Sequence, residues 1–266
     1  MRTHVVSNVV PAPTGLHVLR SDPALTEAVE RWVAPADPDG AAALDDLGGL
    51  AGTPEVRRWA DQADRVTPVL RTHAPTGDRV DEVEFHPAYH HLLEVAVGNG
   101  LTAEAWTRPA DSGAHARRAA GFVVWSQVEA GHLCPVSMSY AAAPALAAEP
   151  AVAARWVPGL ASRTYDPAPA PMADKRGLTV GMGMTEKQGG SDVRANTTRA
   201  VADPAGPLEG DTYRLTGHKW FCSAPMSDAF LVLARTDAGS RVRARTTSSA
   251  LTLPDPSQIE LSGASR

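Results

Sequence analysis

Apolar positions at helical spacing dominate the first 165 residues. Ser21-Asp22-Pro23 places a capping side chain before a first-turn proline, and Ala24 to Val33 continues with helix formers. Thr53-Pro54-Glu55 repeats the device ahead of Val56 to Ala60. Pro87 opens a further segment with Leu92, Leu93 and Val97 at helical spacing. The longest apolar stretch runs from Ala116 to Leu146, interrupted by Gln127, Glu129 and His132, and Pro135 is the expected break between two helices. A helix apolar on all sides belongs at the centre of a bundle. Residues 1–165 therefore read as an N-terminal helical domain.

The pattern changes at 166–175, where Pro167, Pro169 and Pro171 mark a linker. Gly177 to Met184, Thr197 to Val201, Thr212 to Thr216 and Ala229 to Ala234 are short and rich in β-formers, with turn residues between them. This predicts a small antiparallel β domain over 176–236. Residues 237–266 lack aromatic residues and are rich in Ser, Thr, Arg and Pro, so they read as a disordered tail. The alternation Arg241-Val-Arg-Ala-Arg245 within it reads as a solvated end rather than a phosphate contact.

Composition narrows the classes. Hydrophobic residues make up 43% of the 266, which excludes wholesale disorder. A net charge of −5 argues against a nucleic-acid-coating protein. Of 25 basic residues only Lys175, Lys187 and Lys219 are lysines, which reads as coding bias. Two cysteines, Cys134 and Cys222, exclude a disulfide framework and a Cys-rich zinc site. No run of about 18 apolar residues suggests a membrane span, and the N-terminal residues lack a leader's apolar core. A cytoplasmic protein without membrane partners is the expectation.

The chemistry concentrates in two stretches. Gly181-Met-Gly-Met-Thr-Glu-Lys-Gln-Gly-Gly-Ser-Asp192 begins like a dinucleotide fingerprint, but Glu186 holds the third glycine position. What remains is a strand entering a loop. Gly189 and Gly190 would supply positive-φ turns, and Thr185 and Ser191 supply hydroxyls. On residues alone a ligand-free β turn and a ligand loop both stand. The second stretch is Thr216 to Pro225, where Trp220-Phe221 could shield an aromatic cofactor with Ser223 donating a hydrogen bond, or could plug the core.

Together these stretches carry a resemblance. MTEKQGGSDVRANTTRA at 184–200 and LTGHKWFCSAPMSDAFLVLA at 215–234 resemble the acyl-CoA dehydrogenase family, within it the AidB-like branch. FHPAYHHLL at 85–93, QVEAGHLCPVSM at 127–138 and KRGLTVGMGM at 175–184 resemble it too. Lys187 stands where the usual family loop has proline, the AidB-type variant. The resemblance covers about residues 15–236 and implies an α+β fold: an N-terminal helical domain, then a small antiparallel β domain, with the family's C-terminal helical domain missing here.

The resemblance also implies FAD as cofactor and acyl-CoA as substrate. Met182, Met184 and Thr185 would line the flavin ring, and Gly190 and Ser191 would continue the loop around it. Trp220, Phe221 and Ser223 would form the second flavin-contacting strand, with Cys222 inside that run. The family's reaction removes an α proton with a carboxylate and transfers hydride to the flavin. Its catalytic glutamate, its main oligomer contacts and, in AidB-like proteins, a DNA-binding surface lie in the domain missing here. No catalytic residue is therefore assigned, and the chain reads as a truncated or frameshifted product. A DNA-protecting binding protein with a non-catalytic flavin and a nonfunctional fragment are the alternatives.

Other residues read as structural. His86, His90 and His91 read as structural or surface histidines, Glu129 as partly exposed or paired, and Cys134 as a buried small hydrophobe. Trp59, Trp106, Trp125 and Trp156 read as helix-packing residues.

Overall fold

The computed structural model describes residues 3–5, 7–10, 15–202, 212–236, 243–248 and 262–264. Seven helices are described: α1 (Pro23–Trp32), α2 (Pro38–Ala51), α3 (Pro54–Arg65), α4 (Pro87–Gly98), α5 (Ala114–Ser126), α6 (Leu133–Leu146) and α7 (Pro150–Leu160). Five of them, α1, α2, α3, α4 and α7, open on a proline in the first turn. There the missing N–H costs nothing and the fixed φ is already helical. Asp22, Asp37 and Thr53 cap the first three by accepting from Leu25, Gly40 and Val56 N–H groups. The core of this part gathers Leu44, Leu47, Leu92, Leu93, Val124, Trp125 and Val136.

The eight strands are β1 (Val69–His73), β2 (Arg79–Glu84), β3 (Val180–Gly183), β4 (Arg199–Ala202), β5 (Thr212–Thr216), β6 (Ala229–Thr236), β7 (Arg243–Ser248) and β8 (Ser262–Ala264). β1 and β2 form a separate antiparallel hairpin. The rest form one sheet ordered β3-β6-β4-β5-β8, with β7 also pairing β6. The sheet is mixed, which corrects the antiparallel expectation: β6 runs parallel to β3 and β4, whereas β4–β5, β5–β8 and β6–β7 are antiparallel. A parallel neighbour requires a long crossover, and the chain between β3 and β6 is that crossover.

β6 is buried on both faces. Ala229 and Leu231 pack with Leu146, Trp156, Leu160, Leu178 and Val180, and this cluster joins α6 and α7 to the sheet. Phe230, Val232 and Ala234 face the other way, onto Ala200 and Leu215. An unbroken apolar run is what a doubly covered strand requires. A buried hydrogen bond from the Val180 N–H to Ser139 Oγ (2.9 Å) ties β3 to α6.

Three further expectations change. The helical part contains the hairpin β1–β2, which the sequence pattern missed. The break in the apolar stretch falls before Pro135, at 127–132, and Pro135 sits in the first turn of α6, where its missing N–H is harmless. Residues 243–248 and 262–264 of the expected tail are strands, since β6 and β5 offer them edges. The rest of that segment, including Arg241, lies outside the described residues.

Candidate functional site

β3 delivers the first motif to the sheet edge, and the segment before β6 delivers the second beside it. Met182 and Ser223 form an antiparallel bridge. The Ser223 N–H donates to the Met182 carbonyl (3.0 Å) and the Trp220 N–H to the Thr185 carbonyl (2.9 Å). Residues 182–185 and 220–223 therefore run side by side. Gly181 permits this approach, because a Cβ there would lie 2.5 Å from both the Ser223 carbonyl oxygen and the Phe230 ring.

The loop then turns back on itself through mutual backbone hydrogen bonds between Glu186 and Gly189. Neither Gly189 nor Gly190 adopts positive φ, contrary to expectation. Gly190 is required for a different reason: a Cβ there would lie 2.8 Å from Thr185 Oγ1. Ser191 follows it on the exposed side of the loop.

Beneath the loop lies a residue that the sequence reading noted only as an interruption. The Glu186 side chain is 1% exposed. Its Oε1 accepts from the Thr198 N–H (2.9 Å), Thr198 Oγ1 (2.6 Å) and Lys219 Nζ (3.1 Å). Its Oε2 accepts from the Thr197 N–H (2.7 Å), Thr197 Oγ1 (2.9 Å) and Gln188 Nε2 (2.6 Å). Burial alone would raise its pKa, but these donors outweigh burial and hold the carboxyl well below the usual range. Lys219, one residue before Trp220, is thereby fixed to the loop that follows Thr185. The signal in the sequence was a lone glutamate, with a Thr-Thr pair and a lysine far along the chain.

Trp220 and Phe221 are 51% and 61% exposed, so neither plugs the core. Their rings meet edge to face at 6.2 Å, and the Lys187 ammonium lies 5.3 Å from the Trp220 ring centroid. Met182 and Met184 are half-buried against the helix–sheet core. Cys222 is exposed and Ser223 half-buried. The fold thus brings together Met182, Met184, Thr185, Trp220, Phe221, Cys222 and Ser223, with Gly190 against Thr185. Two exposed aromatic rings beside a hydroxyl and a backbone ladder suit a flat ring system bearing polar edges.

The remaining candidates are placed as follows. His86 caps α4 by accepting from the Ala88 N–H, His90 Nδ1 pairs with the Tyr165 hydroxyl at 2.8 Å, and His91 lies 3.9 Å from Glu94. Trp125 and Trp156 are buried, Trp59 packs against the helical core, and Trp106 is exposed against His115 and Tyr140. Cys134 is exposed, not buried, because its position in the first turn of α6 faces outward.

Glu129 is paired, in the turn between α5 and α6 rather than within a helix. It accepts from the Gly131 N–H (2.5 Å), the His132 N–H (2.9 Å) and His132 Nδ1 (2.8 Å). Burial opposes its ionised form, but the His132 and Gly131 hydrogen bonds prevail and bring its pKa from 4.5 to about 2. A carboxyl depressed in the folded state stabilises above its unfolded pKa, and that contribution is lost as pH falls through the window from 4.5 to about 2. Urea midpoints should fall across this window, and Glu129→Gln should flatten the fall. An equally steep fall in the variant would contradict it.

A helical part joined by a proline-rich linker to a sheet that carries paired loop and aromatic strands is the layout of an acyl-CoA dehydrogenase's first two domains. Comparison with known proteins identifies the branch. The adaptive response protein AidB N-terminal domain family matches residues 8–167, and the acyl-CoA dehydrogenase middle domain family matches 181–263. The second match runs past residue 236, the end expected from the sequence resemblance. The putative acyl-CoA dehydrogenase AidB of Escherichia coli K12 is 45% identical over 239 residues, covering 90% of this chain and 43% of that protein. Acyl-CoA dehydrogenase family member 11 of Caenorhabditis elegans is 30% identical, covering 84% of this chain and 35% of that protein. Among solved structures, Bd2924 in its apo form superposes with a TM-score of 0.76 at 29% identity, covering 94% of this chain and 48% of that one. Caenorhabditis elegans ACDH-11 in complex with C11-CoA superposes at 0.69 and 25% identity, covering 92% of this chain and 42% of that one. The chain belongs to the acyl-CoA dehydrogenase family, on its AidB branch. It spans less than half the length of these relatives. No helix among the described residues is long and apolar enough to cross a membrane.

Proposed function

We propose that this chain forms the β-side half of an FAD site in an acyl-CoA dehydrogenase of the AidB type. The observation that carries the reading is the alignment of 182–185 with 220–223, which leaves Trp220 and Phe221 exposed beside Thr185. Met182, Met184, Thr185, Gly190, Ser191, Trp220, Phe221, Cys222 and Ser223 would hold the cofactor. Bound there, the flavin would accept hydride from an acyl-CoA substrate.

The chain's own share is orientation and exclusion of water. The Trp220 ring offers an apolar wall, the Thr185 hydroxyl a polar contact, and the Glu186 clamp fixes the spacing of both segments. Glu186 does not serve as the base that removes the α proton, since six donors hold it ionised beneath the loop. The substrate class rests on family membership and on the acyl-CoA-like ligand in the C11-CoA complex of the worm relative.

The test is a titration of FAD into the purified chain, followed by flavin fluorescence and visible absorbance. Saturable quenching with a shifted absorbance band is expected, weakened by about tenfold or more in Trp220→Leu through lost ring stacking. A flavin spectrum unperturbed by the chain would refute the half-site. Cytoplasmic location accompanies the reading as part of the same proposal.

A further inference from the structure

Next to the 220–223 segment lies a cavity of about 150 Å³, at the junction of β2, α4, the start of α6, residues 165–167 and residues 224–227. We propose that it binds the head of a small organic cation, of the quaternary-ammonium or protonated-amine class. The flavin reading does not use this cavity.

Four aromatic rings, Phe85, Tyr89, His90 and Tyr165, line part of it. Phe85 and Tyr89 stack at 4.2 Å and 14°, forming one wall. His90 and Tyr165 stack at 5.9 Å and 26°, forming the other. The planes cross at 82° between Phe85 and His90 and at 80° between Tyr89 and His90. Ring faces set at right angles around a pocket attract a cation through their quadrupoles, and more strongly when the site is partly desolvated.

The charges of the lining agree. Glu82, Glu84 and Asp166 contribute three carboxylates, against the single ammonium of Lys175. Lys175 is neutralised in place by Asp228, 2.5 Å away, with both side chains buried. Glu84 is engaged by Arg71, and Asp166 accepts two backbone N–H groups. Glu82 lies opposite Arg71 across the hairpin and shares that guanidinium's charge with Glu84, so one cation stands against the two carboxylates. His90 adds no competing positive charge: burial, with a smaller contribution from His91, lowers its pKa below the ordinary imidazole value. Burial likewise keeps the Tyr89 and Tyr165 hydroxyls protonated. The pocket is therefore aromatic and net acidic, with its one cation already paired. An anionic occupant would meet this excess of carboxylates in the lining.

The test is calorimetric titration of the whole chain with choline and with 3,3-dimethyl-1-butanol, which has the same shape without the charge, at constant ionic strength. Choline should bind saturably, and the neutral analogue about tenfold or more weaker, the range a desolvated cation–π site supplies. Glu82→Gln, at an exposed position where Arg71 keeps Glu84 as its hydrogen-bonded partner, should leave the unfolding midpoint nearly unchanged and weaken choline binding severalfold. Tyr165→Phe keeps the ring and should retain most of the affinity. No saturable choline binding, equal binding of the two ligands, or an unchanged affinity in Glu82→Gln would each overturn the proposal. FAD titration of the same samples reads the flavin site separately, so either reading can fail alone.

Discussion

Glu186→Ala should destabilise the sheet half of the molecule by roughly 3–5 kcal/mol, the usual consequence of removing one partner from a buried pair. The reason is what the substitution leaves behind. Lys219 Nζ sits 3.1 Å from Glu186 Oε1, with its side chain 6% exposed, and would become an unpaired buried cation. The Thr197 and Thr198 N–H groups would lose their acceptor at the same time. Unmet buried donors carry their full desolvation penalty. Pairing the change with Lys219→Met should recover part of the loss, because no charge then remains buried. Urea unfolding of the single and double variants measures both numbers. A single variant within roughly 0.5 kcal/mol of the parent would show that the clamp is unimportant.

Lys175→Ala should produce a loss of similar size, roughly 3–5 kcal/mol at neutral pH. Lys175 is the end of the linker, and it pins that linker to Asp228 at the entrance to β6. Asp228 is also held by the Thr179 N–H at 2.7 Å. Burial already raises the Asp228 pKa above its ordinary value, against the opposing pull of Lys175. Without the lysine, the raised folded-state pKa makes the sign clear. The variant is least stable where Asp228 must stay charged, and it regains stability as pH falls through the folded-state pKa. The gap between parent and variant should therefore narrow as pH falls through that raised pKa. A gap that widens on acidification would mean that Asp228 is stabilised chiefly by Thr179.

What could be read from the sequence followed burial. α1, α3 and α4 were legible because a cap, a proline and an apolar face coincide in each. β6 was legible because both of its faces are covered, which forces an unbroken apolar run. The hairpin β1–β2 was not legible for the opposite reason. All five residues of β1 are exposed, so no face is selected and no period of two appears. The strand order was hidden as well, since β6 pairs with β3 and β4 through contacts that no local pattern records.

At the candidate site, the motif residues were legible through their resemblance to a family. The clamp was not, because a buried glutamate becomes intelligible only when residues 188, 197, 198 and 219 are known to converge on it. Gly190 shows the same limit on a smaller scale. Its presence was anticipated, yet the cause is the nearness of Thr185 rather than backbone handedness.

The parallel pairing of β3 with β6 has a consequence for how the molecule comes into being. The second site segment, along with β4 and β5, lies inside the crossover that this pairing closes, and the first begins in β3 itself. During synthesis, a chain that had emerged only as far as Asp228 would carry every motif residue and still lack the strand that aligns them. Closing so long a loop before its contacts repay the entropy is slow. The site is therefore complete only once Ala229 to Val232 zip onto Val180 to Gly183. Any ligand that recognises the aligned segments will sense completion of the sheet rather than the presence of its sequence motifs.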